Sequence, residues 1–314
     1  MLLNRRKVIQ SGAALVTAGI ASVGRAIAAP QPLTFLSTGD WGMNGEHFQN
    51  QVAHTMGAWA ERIGSRFVVA VGDNFYDAGV QSVTDPHWKN SFEDVYAAKS
   101  LQTPWYAVLG NHDYGGAPEA QIAYSQTSHR WRKPARYYTQ SMKTPDGSAV
   151  DMFFIDTAPM LEGYHNRKED NLFRQNIRAQ DVKAQLKWLD AELGNSKAPW
   201  KLVFGHHPVY SGGQHGDTKE LIADVGPLLR KHGVQAYMCG HDHDLQHIDR
   251  EGVSYILTGA GATTRPVKGV AGTAFASDNP GFTAYRLTAD RLDVDFVGHQ
   301  GQVLHTASVA RARV

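Results

Sequence analysis

The chain has 314 residues, which is enough for one large domain or two modest ones. Its 31 Lys and Arg residues nearly balance its 30 Asp and Glu residues, and this near-neutral charge gives no indication of nucleic acid as a partner. Apolar residues make up 42% of the chain, which suits a globular core, while 15 histidines against a single cysteine exclude a disulfide scaffold, a cysteine-rich zinc site and a cysteine-held iron–sulfur cluster.

The first residues have the composition of an export signal. Arg5-Arg6-Lys7 precedes a moderately apolar run rich in Gly, Ser and Ala, and Ala26–Ala28 forms a small-residue cleavage site. The arginine pair indicates the twin-arginine translocation machinery as a partner during export. A membrane anchor is the alternative, but polar residues interrupt the run before it reaches the roughly 20 apolar residues that a span needs. We therefore expect a twin-arginine signal peptide over 1–28, a periplasmic or secreted mature domain over 29–314, and no stable membrane anchor.

In the mature chain, apolar runs with strand character alternate with amphipathic helical patterns. Strands are predicted at residues 33–36, 67–71, 105–109, 152–155, 201–204 and 235–238, and later at 253–257, 282–287, 292–297 and 303–307. Helices are predicted at residues 48–63, 85–98, 181–193 and 218–231. Strands alternating with helices indicate a layered α/β fold, and no linker or repeat marks a second domain. Two segments, 157–178 and 262–280, are predicted to be irregular loops that border a site.

Five of the predicted strands end in a glycine that is followed by possible metal ligands. The five segments are Gly39-Asp40, Gly72–Tyr76, Gly110–Asp113, Gly205–His207 and Gly240–His243. Glycine permits a tight turn, and the carboxyl ends of strands in an open α/β sheet converge on one crevice. A single Gly-Asp pair is usually only a turn, and a lone histidine is usually structural, but an ordered series of five predicts one site.

The side chains in these segments are sufficient for two metal ions. Two metals about 3.5–4 Å apart need a shared anionic bridge, which a carboxylate supplies. Oxygen ligands mixed with imidazole suit iron, zinc or manganese. Because a phenol has a pKa of about 10, a phenolate ligand from Tyr76 indicates a strongly acidic ion such as ferric iron.

These ordered motifs resemble the metallophosphoesterase, or calcineurin-like, superfamily. The Gly72–Tyr76 segment narrows the resemblance to purple acid phosphatases, whose tyrosine ligand distinguishes them, and the chain looks most like the small tartrate-resistant acid phosphatases. Three further stretches support the resemblance: Ser91–Val95, Gly205–Ser211 and Lys231–Tyr237. The similarity runs from about Leu33 to Gly261 and is weaker beyond. It implies an α/β fold with four layers, an α/β/β/α sandwich with two mixed β-sheets.

The resemblance also implies roles for individual residues. Seven residues match the family's metal ligands: Asp40, Tyr76 and His243 on a ferric ion, Asp73 as the bridge, and Asn111, His206 and His241 on a second ion that is Fe(II), Zn(II) or Mn(II). His112 and His215 match the histidines that contact the substrate phosphate or serve the leaving group. Gln214 stands beside His215 where the family often has Glu, and His207 is expected to pack or to form the rim.

The implied activity is hydrolysis of phosphate monoesters of small molecules by a hydroxide generated at the dinuclear Fe(III)–M(II) centre. Protonated His112 and His215 would stabilise the phosphate oxygens or protonate the leaving alkoxide, which predicts an acid-side pH optimum. Two alternatives stay open: a metallophosphodiesterase with the same site, and a non-catalytic protein that binds metal or phosphate.

Four further polar residues carry more modest expectations. Asp113 and Asp242 are predicted to orient His112 and the neighbouring loops, or to be turn residues only. His165 and Arg167 are predicted to lie in a solvated loop, with contact to substrate as the alternative.

Overall fold

The computed structural model describes residues 31–311, so the predicted signal peptide and its cleavage site lie outside the described residues. From Gln31 onward the chain forms one compact unit. None of the helices within the described range is both long and apolar enough to cross a bilayer.

Fourteen strands and seven α-helices make up the described chain. The strands are β1 (Leu33–Thr38), β2 (Phe67–Ala70), β3 (Trp105–Ala107), β4 (Trp131–Arg132), β5 (Tyr138–Lys143), β6 (Ala149–Phe154), β7 (Trp200–Phe204), β8 (Ala236–Cys239), β9 (Leu245–Arg250), β10 (Val253–Thr258), β11 (Thr273–Ser277), β12 (Gly281–Leu287), β13 (Arg291–Gly298) and β14 (Val303–Ala310). The helices are α1 (Gln49–Ile63), α2 (Pro118–Tyr124), α3 (Glu162–His165), α4 (Leu172–Arg178), α5 (Val182–Asn195), α6 (Lys219–Asp224) and α7 (Gly226–Lys231).

The strands form two seven-stranded mixed sheets. The first sheet has the order β14-β13-β12-β1-β2-β3-β4, and the second has the order β11-β9-β10-β8-β7-β6-β5. In the first sheet β1 to β4 run parallel while β12 pairs antiparallel with β1, with Leu33 opposite Leu287. In the second sheet β6, β7, β8 and β10 run parallel, and β5 and β9 pair antiparallel at either side.

Alternating side chains along the strands build three apolar layers. Phe35 on β1 faces the core between the two sheets, together with Phe154 and Phe204 from the second sheet. The next residue, Leu36, points to the opposite face and packs against α1. Helices α5, α6 and α7 cover the outer face of the second sheet. The order is therefore helix, sheet, sheet, helix, and the predicted four-layer α/β/β/α sandwich is confirmed.

All ten predicted strands are present, but four others were missed. The missed strands are β4, β5, β9 and β11. Three of them lie at sheet edges, where one side of the strand is not covered and the apolar run that reveals a central strand is absent. Along β5, for example, only Tyr138 is buried.

Two of the four helix predictions need correction. The segment 85–98 does bury Trp88 and Phe92 as predicted, but it forms a single π-helical turn over Trp88–Glu93 rather than a regular helix. The predicted helix 218–231 is divided into α6 and α7, because Pro227 has no amide hydrogen and cannot continue a helix from the preceding turn. Both predicted loops also contain regular structure, since α3 and α4 lie within 157–178 and β11 lies within 262–280.

Candidate metal centre

The five strand ends converge on one place, but they come from two sheets rather than from a single open sheet. Strands β1, β2 and β3 belong to the first sheet, and β7 and β8 belong to the second. Because the two sheets face each other, the loops after these strands meet at the same end of the sandwich. The five strand ends therefore lie together as the order of the motifs predicted, and they do so because the two sheets pack face to face.

Glycines before the ligands allow the loops to approach one another. A Cβ atom on Gly110 would lie 2.1 Å from Asp73 Oδ1, far inside a normal contact. Gly72 has a φ of 96°, and a Cβ atom there would lie 2.5 Å from His206 Nδ1. At these two positions a side chain would push apart the residues that are predicted to bind metal.

Tyr76 lies at the centre of one half of the site. Its hydroxyl is 3.2 Å from Asp40 Oδ1, 3.0 Å from Asp73 Oδ2 and 3.1 Å from His243 Nε2. The other ring nitrogen of His243 faces the Thr263 hydroxyl, which orients the ring so that Nε2 points to the tyrosine. Four predicted ligands from three strand ends therefore surround one small volume.

His206 lies at the centre of the other half. Its Nε2 is 3.2 Å from Asn111 Oδ1, 3.2 Å from His241 Nδ1 and 3.4 Å from Asp73 Oδ2. Its Nδ1 donates a hydrogen bond to the Val71 carbonyl at 2.9 Å, which leaves Nε2 free to face the site. Asp73 contacts both halves, in accordance with its predicted bridging position.

The backbone at three of these residues is strained. Asp40, Asp73 and His241 have φ values of 57°, 48° and 72°, a region that residues other than glycine rarely adopt. Such conformations cost free energy and cluster at functional sites, where the surrounding structure imposes them. The strain is therefore consistent with side chains that are held in place for binding.

The buried acids and imidazoles shift one another's pKa values. Burial raises the pKa of Asp40 well above its usual range, and burial with the neighbouring carboxylates does the same for the pKa of Tyr76. Burial alone would lower the pKa of His206, but Asp73 and Asp40 outweigh it and raise that pKa to about 9. Burial lowers the pKa of His243 to about 3 and keeps its ring neutral, the state in which imidazole binds metal.

The donor set fits a metal centre. Asp40 and Asp73 are buried beside each other, and among residues 31–311 their only ion-pair partners are His206 and His243. Against the effect of burial, His206 holds the pKa of Asp73 below its usual range. The pKa values of Asp40 and Tyr76 are raised instead, and bound cations would take the place of the protons that these two groups otherwise retain. Even without the other donors, Asp40, Asp73 and His206 form a group whose ligand atoms lie within 4.8 Å of one another.

A pocket of about 380 Å³ opens onto one side of this donor set. Both predicted catalytic histidines, His112 and His215, line it together with Asp73, Asn111, His241 and His243. The structure thus brings all nine sequence-predicted site residues together: Asp40, Asp73, Tyr76, Asn111, His112, His206, His215, His241 and His243. Their individual roles remain predictions.

His207 also lies near the centre, with a nitrogen within 4.8 Å of ligand atoms of His206 and His241. Both of its ring nitrogens already face hydroxyl groups, Nδ1 toward Thr157 at 2.8 Å and Nε2 toward Tyr164 at 3.0 Å. We therefore retain the expectation that His207 packs beside the centre and is not a ligand.

The two aspartates that follow site histidines do orient loops. Asp113 accepts hydrogen bonds from the backbone of Gly110 at 2.8 Å and Asn74 at 3.1 Å, which joins the loops after β2 and β3. Asp242 accepts from the backbone nitrogen of His215 at 2.8 Å. Asp113 makes no hydrogen bond to the His112 ring among the described contacts, so its effect is on the loop.

Sequence reasoning missed part of the pocket wall. Tyr164 and Arg265 line the pocket, and Arg167, which was expected in a solvated loop, lines it as well. His165 instead donates a hydrogen bond to the Pro159 carbonyl at 2.6 Å. A signal for Arg265 was available, because β10 also ends in a glycine-rich turn, Gly259-Ala260-Gly261, like the five strands that carry ligands.

Comparison with known proteins agrees with this fold. The family model for calcineurin-like phosphoesterases matches residues 30–245. Purple acid phosphatase 17 of Arabidopsis thaliana is 39% identical over 290 residues, which covers 87% of this chain and 83% of that protein. Tartrate-resistant acid phosphatase type 5 of Homo sapiens is 40% identical over 247 residues, covering 75% of each. Among solved structures, GAP50, the anchor in the inner membrane complex of Plasmodium, aligns with a TM-score of 0.76 at 26% identity, covering 90% of both chains.

The fold and the donor set define a metallophosphoesterase. The chain belongs to the calcineurin-like phosphoesterase family and, within it, to the purple acid phosphatases, as its motifs predicted. Its relatives are acid phosphatases, and the chain is accordingly an enzyme of the phosphoric monoester hydrolase class, in a family that implies a dinuclear metal centre. The similarity to the Arabidopsis protein also extends past Gly261, where the motifs had suggested a weaker match.

Proposed function

We propose that the chain is an exported purple acid phosphatase that hydrolyses small-molecule phosphate monoesters at a dinuclear Fe(III)–M(II) centre. The observation that carries the proposal is the position of Tyr76, whose hydroxyl lies within 3.2 Å of Asp40, Asp73 and His243. A phenol has one hydrogen to donate and cannot satisfy two carboxylates and an imidazole at once, whereas as a ligand it would complete the donor set for a strongly acidic metal ion.

Seven side chains would hold the two ions: Asp40, Tyr76 and His243 on the ferric ion, Asn111, His206 and His241 on the divalent ion, and Asp73 between them. When bound, the ions would neutralise phosphate charge and lower the pKa of a water molecule. Binding of the phosphate oxygens and protonation of the leaving group would depend on protein groups that line the pocket.

His112 is oriented toward the substrate side of the pocket. Its Nδ1 donates to the Asp77 carbonyl at 2.6 Å, and its backbone nitrogen donates to Asp73 Oδ1 at 2.8 Å. A carbonyl can only accept, so Nδ1 carries a hydrogen and Nε2 is the nitrogen left for substrate. When protonated, Nε2 would donate to a phosphate oxygen.

His215 lies on the same pocket with its Nε2 3.1 Å from Arg265 Nη1. A guanidinium is a donor only, so His215 Nε2 accepts this hydrogen bond and the ring is neutral in this arrangement. Burial lowers the pKa of His215, and the Arg265 charge adds to that effect against the opposing Asp242. A histidine that must be protonated to act as an acid then works best below neutral pH, which supports an acid-side optimum.

The test of this proposal is metal analysis combined with a visible spectrum. The metal-loaded protein should contain iron and show a violet band from the ferric–phenolate pair. Tyr76→Phe should abolish the band, whereas Tyr164→Phe, which removes a pocket phenol outside the ligand set, should retain it. Iron-loaded protein that is colourless, or a violet Tyr76→Phe variant, would contradict the ligand assignment.

The two alternatives predict different turnover. A phosphodiesterase would cleave a diester faster than the matched monoester, and purified metal-loaded enzyme distinguishes the two directly. A non-catalytic role has one comparison in its favour, since GAP50 is described as an anchor. Phosphate binding without turnover in the metal-loaded protein would favour that role, whereas the placement of His112 and His215 on the pocket favours hydrolysis.

A further inference from the structure

Two arginines reach the pocket from different loops. Arg167 comes from the segment between α3 and α4, and Arg265 comes from the loop after β10. Both line the same pocket as His112 and His215. Among the described residues that line it, Asp73 is the only acid, and Asp73 is committed to the metal centre.

Aromatic packing holds Arg167 in place. Its guanidinium carbon lies 4.0 Å from the centre of the Phe173 ring and 5.0 Å from that of Tyr164. Tyr164 is in turn fixed by its hydroxyl, which is 3.0 Å from His207 Nε2. The cation is exposed, but the rings beneath it restrict where it can lie.

Arg265 is held by the metal-site loops. Its backbone nitrogen donates to the His243 carbonyl at 2.9 Å, and its Nη1 donates to His215 Nε2 at 3.1 Å. These contacts occupy the backbone nitrogen and one of the five guanidinium N–H groups. The other guanidinium hydrogens remain available for a ligand in the pocket.

Neither arginine is neutralised by a carboxylate. Within residues 31–311 the ion pairs of arginine involve Arg130, Arg136, Arg230, Arg286 and Arg291 only. Arg167 and Arg265 therefore add two uncompensated positive charges to a pocket that already offers metal ligands and two histidines to one phosphate.

We propose that Arg167 and Arg265 form an anion clamp that selects small phosphomonoesters carrying a second phosphate group. This inference rests on the proposed function, because it assigns the substrate class of the same site. The planar guanidinium matches two phosphate oxygens at once, and a phosphate beyond the reacting one is the group that would use this geometry. The pocket volume of about 380 Å³ fits a small molecule.

The test compares a matched substrate pair, fructose 1,6-bisphosphate and fructose 6-phosphate, with metal-loaded enzyme. We expect kcat/KM for the bisphosphate to exceed that for the monophosphate on the order of ten-fold, which is the size of one hydrogen bond to a charged group. The preference should shrink as salt is added, because the clamp charges are open to solvent.

Arg167→Gln should lower kcat/KM for the bisphosphate about ten-fold, mainly through KM, and lower that for the monophosphate less, so that the preference between the two substrates is lost. Lys168→Gln removes the same charge from the next residue, which does not line the pocket, and should change neither substrate. Arg265→Gln should also remove the preference, with an added effect on the monophosphate through His215.

Three outcomes would overturn the clamp. The first is equal kcat/KM of the wild-type enzyme for both substrates. The second is an Arg167→Gln variant that still prefers the bisphosphate. The third is an Arg167→Gln variant in which kcat/KM falls equally for both substrates. Each of these leaves monoester hydrolysis intact as an activity of the wild type. Wild-type enzyme that hydrolyses neither substrate would instead overturn the proposed function, and the clamp with it.

Discussion

His112 contacts the candidate metal centre through its main chain and lines the pocket with its ring. Its backbone nitrogen donates to Asp73, and Nδ1 donates to the Asp77 carbonyl, so the ring is fixed without being among the seven donors. The hydrogen bond to Asp73 comes from the main chain and survives any substitution except proline. The ring can therefore be removed while the bridging carboxylate keeps its partner.

His112→Ala should reduce turnover roughly 100-fold or more, because a positioned acid–base group contributes that much to the transition state. Iron content and the violet band should be unchanged. His165→Ala is the control, since that ring is bound to the Pro159 carbonyl and does not line the pocket. Loss of metal from His112→Ala would make His112 a ligand, and full activity would remove it from the reaction.

At the scale of elements, the π-helical turn over Trp88–Glu93 depends on a distant arginine. Arg130, which is 0% exposed, donates to the Tyr96 carbonyl at 2.7 Å and to the Phe92 carbonyl at 3.2 Å, and it forms an ion pair with Glu93 at 2.7 Å. It thereby satisfies carbonyls that a regular helix would have bonded internally. The apolar spacing predicted which face of 85–98 is buried, but this partner is remote in sequence and could not be read from it.

Arg130→Met should lower the free energy of unfolding by about 3 kcal/mol, because the change leaves Glu93 Oε2 and the freed carbonyls without their donor. Lys89→Met breaks the neighbouring ion pair with Asp94, whose partners are both exposed, and should change stability by less than about 1 kcal/mol. Urea denaturation of the two variants measures both values. Equal effects would mean that Arg130 does not hold the turn.

At the scale of the whole molecule, the centre is complete only when most of the chain has folded. Strand β1, which precedes Asp40, pairs with β12 more than 240 residues later, with Leu33 opposite Leu287. His206 and His241 follow strands of the other sheet. A site assembled from such distant segments cannot bind metal before the fold forms, which suits an export route that accepts folded proteins.

The prediction that residues 1–28 direct export of the folded protein can be tested by substitution of the arginine pair. Replacing Arg5 and Arg6 together by lysine should block export and leave folded, metal-loaded enzyme in the cytoplasm, because the arginine pair is the predicted translocation signal. Arg25→Lys makes the same chemical change elsewhere in the leader and should permit export. Cell fractionation with an activity assay gives the result. Normal export of the double variant would contradict the twin-arginine prediction.

Local sequence was enough to predict the residues of the candidate centre and the strands that lead to them. The reason is local: a buried strand, a glycine and a polar residue are adjacent in the chain, and five copies at Asp40, Asp73, Asn111, His206 and His241 give an ordered pattern. The central strands were predictable on the same ground, since burial on both faces leaves a continuous apolar run.

How these pieces combine depends on the tertiary structure. Edge strands such as β5 lack the apolar run, the five strand ends come from two sheets, and Arg265 reaches His215 across 50 residues. These features depend on how two sheets face each other and on the path of the loops between them. Such long-range packing sets the walls of the pocket, and with them the predicted choice of substrate, whereas the predicted ligands can be recognised from local sequence.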